Sequence, residues 1–130
     1  MRRILLTPLL CTGALFLTAL PSVAMAHPKL LSSTPAAGAT VAKPTRLTLT
    51  FNEKMLAPLS GVDLTMTGMP GMANHAPMPI KGFKTAVEGD GKTMTVTLPR
   101  ALPAGNYDVD WHLVGADQHK VSGKYSFSVK

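Results

Sequence analysis

Four stretches of this chain alternate apolar and polar residues with a period of two: "RLTLTF" (46–51), "KTMTVTL" (92–98), "NYDVDWHL" (106–113) and "KYSFSV" (124–129). Side chains on a strand point to opposite faces in turn, so this pattern describes half-buried antiparallel strands with one face inward. The inward set is Leu47, Leu49 and Phe51, then Met94, Val96 and Leu98, then Tyr107, Val109, Trp111 and Leu113, and finally Tyr125, Phe127 and Val129. A fifth run, "GVDLTM" (61–66), repeats the pattern with Val62, Leu64 and Met66. The threonines between them suit a pleated surface. Turn signals separate the runs ("TPAAGAT", "PMP", "EGDGK", "LPAGN"), and "GDG" at 89–91 predicts a hairpin. With "KLLSS" near the start and a weaker strand near 80–87, about seven antiparallel strands are expected. That number and spacing predict an all-β, immunoglobulin-like Greek-key sandwich with no long helix and no repeats.

Residues 1–26 are expected to lie outside this fold. Arg2 and Arg3 precede the apolar run "ILLTPLLCTGALFLTAL", which leads into "AMA" at 24–26. A basic head, a short apolar middle and a small-x-small end are the marks of a cleavable secretory signal peptide. Thr7, Pro8 and Thr12 interrupt the run, which argues against a retained membrane anchor. Cys11 lies within it, after Leu10 rather than a small residue, and is not read as a lipidation site. Cleavage after Ala26 leaves residues 27–130, one domain with enough chain for its own core. The single cysteine leaves with the signal, so neither a disulfide nor a thiolate ligand is expected in the exported protein. Losing Arg2 and Arg3 lowers the formal charge of +6 by two, and the remaining lysines are scattered. Nucleic-acid binding needs a clustered basic face with aromatics, and is excluded on that ground.

Processing would place His27 at the N-terminus, where its α-amine and imidazole can close a chelate ring on one metal ion. The amine loses its proton far more easily than a lysine does. Pro28 follows and has no amide proton for Cu(II) to displace, so the other ligands must come from elsewhere. "GADQHKVSG" offers Asp117 and His119, two apart and expected to face the same way in an extended segment. Two imidazoles, an amine and a carboxylate form a set suited to tetragonal Cu(II). Glu53, at the strand end in "TFNEKM", is a candidate second oxygen or a hydrogen-bonding support. His112 falls on the polar face of the Trp111 strand and is expected to be merely exposed.

The stretch "MTGMPGMANHAPM" (66–78) follows neither the strand nor the helix period, and Pro70, Gly71 and Pro77 oppose a helix. It places Met66, Met69, Met72, His75 and Met78 at every third position in an expected long loop. Thioethers are soft ligands that favour Cu(I) over zinc, calcium or magnesium. Met69, Met72 and Met78 are hard to place in a core and are candidate ligands. Met66 completes the Val62 and Leu64 alternation, so core and ligand readings are both open for it, whereas Met94 is read as core.

Together these residues resemble the CopC (PcoC-like) family of periplasmic copper-binding and copper-resistance proteins. The likeness spans "HPKLLSSTPAAGA", "LTLTFNEKM", the Met/His loop and "YDVDWHLVGADQHKVSGKYSFSV". The resemblance implies a cupredoxin-like, immunoglobulin-type β-barrel with two copper sites at opposite ends. By that likeness His27, Asp117 and His119, with Glu53 close by, would hold Cu(II). Three or four of Met66, Met69, Met72, His75 and Met78 would hold Cu(I). One departure concerns His75, which stands one residue further from the third methionine in "MANH" than the family pattern has it.

The expected function is a periplasmic copper carrier or buffer in copper homeostasis and resistance, monomeric, not membrane-embedded and not an enzyme. The resemblance suggests an inner-membrane copper protein or a multicopper oxidase as partner. The alternative is a copper-dependent oxidative enzyme of the lytic monooxygenase type, which also uses an N-terminal histidine. It needs an open coordination position and a flat, often aromatic surface, whereas Asp117 would compete for that position and the aromatics fall mostly on inward strand faces. A blue-copper electron carrier is excluded by the missing ligand cysteine. A metal-free adhesion module would leave the His and Met clusters without a role.

Overall fold

The computed structural model describes residues 27–73 and 75–130, so the signal-peptide expectation for residues 1–26 lies outside the described residues. Among the described residues nine strands form: β1 (Leu30–Thr34), β2 (Thr40–Val41), β3 (Arg46–Phe51), β4 (Gly61–Gly68), β5 (Met78–Pro79), β6 (Lys84–Val87), β7 (Thr93–Thr97), β8 (Gly105–Val114) and β9 (Lys120–Val129). They make two sheets, in the orders β1-β3-β7-β6 and β2-β9-β8-β4-β5. The chain changes sheet at β1→β2, β2→β3, β3→β4, β5→β6 and β7→β8, the cross-over connectivity of a Greek-key sandwich. No ladder joins the two sheets among the described residues, so the architecture is a sandwich rather than a closed barrel. The two strands beyond the expected seven are the two-residue β2 and β5, and β2 runs parallel to β9.

The period-two faces meet between the sheets. Leu47, Leu49, Val96, Val109, Tyr107 and Leu113 are fully buried, and Phe51, Met94, Leu64 and Phe127 nearly so. Burying a side chain of this size is worth about 1.5–3 kcal/mol. A one-residue slip in register would turn every such residue to solvent, so the alternation fixes the pairing. Phe51 and Trp111 pack edge to face with ring centroids 5.0 Å apart, and Tyr107 stacks on Phe127 at 5.5 Å. Five aromatics are buried (Phe51, Tyr107, Trp111, Tyr125 and Phe127), and Phe83 is half-buried. The Tyr107 hydroxyl donates to the Pro103 carbonyl at 2.7 Å, tying β8 to the loop that leads into it.

The hairpin of β8 and β9 is the axis of the molecule. Its pairing runs from Gly105↔Val129 at one end to Val114↔Lys120 at the other. Ten residues of strand at about 3.4 Å each separate these ends by roughly 30 Å. The "GDG" hairpin forms as expected between β6 and β7, with the Asp90 carboxylate accepting from the N–H groups of Lys92 and Thr93.

Candidate metal centres

One candidate site sits at the turn between β8 and β9. The His27 and His119 rings lie with centroids 6.0 Å apart at 61°, although they belong to opposite ends of the domain in sequence. Both are exposed, as is Asp117. Pro28 is buried and seats the segment that carries His27. A connector from β3 to β4 closes this end: Met55 bridges to Gly115, and the Leu56 N–H donates to the Val114 carbonyl at 2.8 Å.

Asp117 and His119 are not in the extended segment that their spacing suggests. They belong to a turn in which Gln118 takes a left-handed conformation (φ 66°) and donates its N–H to the Gly115 carbonyl. The Asp117 Oδ1 accepts the His119 N–H at 3.0 Å. Asp side chains favour turns by this local bond, and here it brings the two residues together in place of strand periodicity. One carboxylate oxygen is thereby engaged, and the other is the one left for a cation. Gly115 is buried against this group: a Cβ there would stand 3.1 Å from Asp117 Oδ1. Glu53 is half-buried at the same end, with no hydrogen bond or ion pair to His27, Asp117 or His119 among the described residues. Nor do three His, Cys, Asp or Glu side chains already converge as a chelate among the described residues. His112 lies half-buried, its ring over Gly61 on the neighbouring strand, rather than simply exposed.

Sequence reasoning missed Asn52. Its side chain bonds the backbone of both Lys29 and His27. The only sequence signal was its position, directly after Phe51, where the alternation ends.

Met66, Met69, Met72 and Met78 occupy the opposite end. The stretch 66–78 is less of a loop than expected: it starts within β4 and ends in β5, with Met66 directly opposite Met78. Met69 and Met72 form a second facing pair, each N–H donating to the other's carbonyl at 2.9 Å. Between them Pro70 and Gly71 (φ 81°) supply the residues of a type II turn, where the third position needs positive φ. Met66 is buried at 5% exposure within the core cluster, Met69 is half-buried, and Met72 and Met78 are 56% and 50% exposed.

His75 follows three residues after Met72. Its Nδ1 lies 2.7 Å from the Ala76 carbonyl, which can only accept, so Nδ1 carries a proton, and in the neutral ring Nε2 is the nitrogen with the lone pair. Nε2 is buried and has no hydrogen-bond partner among the described residues. An unpartnered buried nitrogen costs about 1–3 kcal/mol, and a metal ion is one group that would satisfy it. Two glycines let the hairpin close down. A Cβ on Gly68 would stand 2.5 Å from the Ala73 carbonyl oxygen, and one on Gly105 would stand 2.5 Å from that of Gly68. Beside them a cleft of about 380 Å³ opens between the Met69–Ala73 turn, Gly105, Asn106 and Val129.

Two groups of candidate ligand side chains thus stand at opposite ends of one sandwich. A family model described as "CopC domain" matches residues 30–130. The chain belongs to the CopC family. Copper resistance protein C of Escherichia coli is 48% identical over 107 residues, covering 82% of this chain and 84% of that protein. Copper resistance protein C of Pseudomonas syringae pv. tomato is 46% identical, covering 84% of this chain and 85% of that one. The crystal structure of PcoC, a methionine-rich copper resistance protein from Escherichia coli, superposes with a TM-score of 0.73 at 45% identity. It is matched over its whole length and covers 81% of this chain. Among the described residues no helix is long and apolar enough to cross a membrane.

Proposed function

We propose that residues 27–130 act as a periplasmic copper carrier or buffer in copper homeostasis and resistance, without a catalytic step. Cu(II) is taken by His27, through imidazole and α-amine, with His119 and Asp117, and Glu53 stands near as a further oxygen. Cu(I) is taken by Met69, Met72, Met78 and the Nε2 of His75, with Met66 as the innermost thioether.

The observation that carries this reading is the convergence of His27 and His119 to 6.0 Å at the end remote from the methionines. A nitrogen and oxygen set suits Cu(II) and thioethers suit Cu(I), so a change of oxidation state moves the preferred site by some 30 Å along β8. Both candidate sites expose ligand side chains, as exchange of a cargo ion with another protein requires. An inner-membrane copper protein and a multicopper oxidase are the partner classes proposed, with the chain as a monomer. Secretion by a cleaved signal at 1–26 belongs to this proposal, since only cleavage after Ala26 creates the α-amine of His27.

The test is a pair of variants titrated with both ions. His119→Ala should weaken Cu(II) binding at least tenfold and leave Cu(I) binding intact. Met69→Ala with Met72→Ala should do the reverse. Loss of both ions in either variant, or of neither, contradicts two separate sites.

A further inference from the structure

The ladder between β1 and β3 runs into a residue that cannot continue it. Leu30 pairs with Phe51, and the Asn52 N–H still donates to the Lys29 carbonyl at 3.1 Å. One residue earlier stands Pro28, which has no N–H. At that point the Asn52 side chain takes the place of a strand backbone. Its Oδ1 accepts the Lys29 N–H at 2.7 Å, and its Nδ2 donates to the His27 carbonyl at 3.4 Å. The Lys29 N–H can only donate, which fixes the orientation of the carboxamide and leaves Nδ2 for His27. A carboxamide holds one acceptor and one donor on a planar head, so it meets an N–H and a C=O of the facing chain together. Asp lacks the donor, and Ala lacks both.

We propose that Asn52 is the positioning residue of the Cu(II) end, extending the ladder by one side-chain rung and holding His27 beside His119. The inference rests on the Cu(II) reading given above. A terminal residue frays unless it is tied down, and after processing His27 is the terminus. Its tethers are the buried Pro28 and the Asn52 amide. Without the amide, the free chain samples many placements of the α-amine and imidazole, and binding must restore one of them. Groups that orient metal ligands in this indirect way typically contribute 10–100-fold in affinity. Asn52 is half-buried at a strand end and outside the core cluster, so its replacement leaves the sandwich intact.

The test uses the exported protein, its start at His27 verified by mass spectrometry, in native, Asn52→Ala and Asn52→Asp forms. The first readout is amide exchange of Lys29 without copper. It is expected to be at least tenfold faster in Asn52→Ala and to stay slow in Asn52→Asp, which keeps the acceptor. The second is Cu(II) affinity with the electron paramagnetic resonance spectrum. Asn52→Ala should raise the Cu(II) Kd about tenfold and give mixed coordination, while its Cu(I) Kd stays native and certifies the fold. Unchanged Lys29 exchange in Asn52→Ala overturns the clamp. Faster exchange with a native Kd and spectrum overturns the positioning role. If the native protein itself binds Cu(II) without its terminal amine, the Cu(II) reading fails and the role assigned to Asn52 falls with it. That failure is visible in the native spectrum alone.

Discussion

Met69 and Met72 face each other across the Pro70–Gly71 turn, each donating its N–H to the other's carbonyl at 2.9 Å. Side chains of such a reciprocally bonded pair leave the same side of the ladder. The turn therefore delivers two thioethers as one unit, and Met66 opposite Met78 forms a second unit behind it. The period of three in the sequence is the trace of a small hairpin, neither a helix nor a strand.

Gly71 holds that hairpin through its backbone alone. It has φ 81° and open space where a Cβ would be, so replacing it strains the chain without a clash. Gly71→Ala should cost about 1 kcal/mol in the turn and weaken Cu(I) binding about fivefold, with Cu(II) binding unchanged. Competition titrations of both ions check this, and a native Cu(I) affinity would show that the turn is not preorganising the pair.

Gly68 acts by a different cause. Its missing side chain leaves room for the Ala73 carbonyl, a backbone atom that cannot swing aside. Gly68→Ala should therefore displace the whole Met69–Ala73 turn, at about 1–3 kcal/mol of strain. Cu(I) affinity should fall more than for Gly71→Ala, and thermal unfolding should come several degrees lower. A smaller effect than that of Gly71→Ala would mean that the loop seat yields easily.

At high pH the sandwich should lose stability through its tyrosines. Burial pushes the Tyr107 hydroxyl up to about 12, and burial also raises Tyr125. An unfolded tyrosine ionises near 10. Between about 10 and 12 the folded state thus holds a proton that the unfolded state releases, and stability falls as pH rises through that window. Tyr107→Phe should make the fall shallower, with Tyr125 keeping a remainder. The same variant loses the bond to the Pro103 carbonyl and should be less stable at neutral pH by about 1 kcal/mol. Chemical denaturation at pH 7, 10 and 11.5 separates the two effects.

The long strands were legible because burial on one face imposes a period of two: every inward residue read from 46–51, 92–98, 106–113 and 124–129 is buried. β2 and β5 were not legible, since two residues carry no period and their pairing is decided by partners distant in sequence. Asp117 and His119 lie in a turn rather than in the extended segment expected from their spacing. Spacing cannot tell an extended D-x-H from a turn closed by the Asp117 carboxylate and a left-handed Gln118. The methionines were visible by type, but their pairing came from the Pro70–Gly71 turn and its seat on Gly68. Asn52 was invisible because its role is a hydrogen bond to backbone 25 residues away, which leaves no mark in composition or periodicity.

The most direct measurement of the central claim compares two chains that differ only at the N-terminus: residues 27–130 starting at His27, and the same chain with one glycine before it. Each is titrated with Cu(II) and its electron paramagnetic resonance spectrum recorded. The account predicts that the native start binds one Cu(II) tightly with a nitrogen-rich tetragonal spectrum. The added glycine should weaken or rearrange that site while Cu(I) binding stays the same. Equal Cu(II) affinity and identical spectra for the two chains would contradict it, because the α-amine of His27 would then not be a ligand.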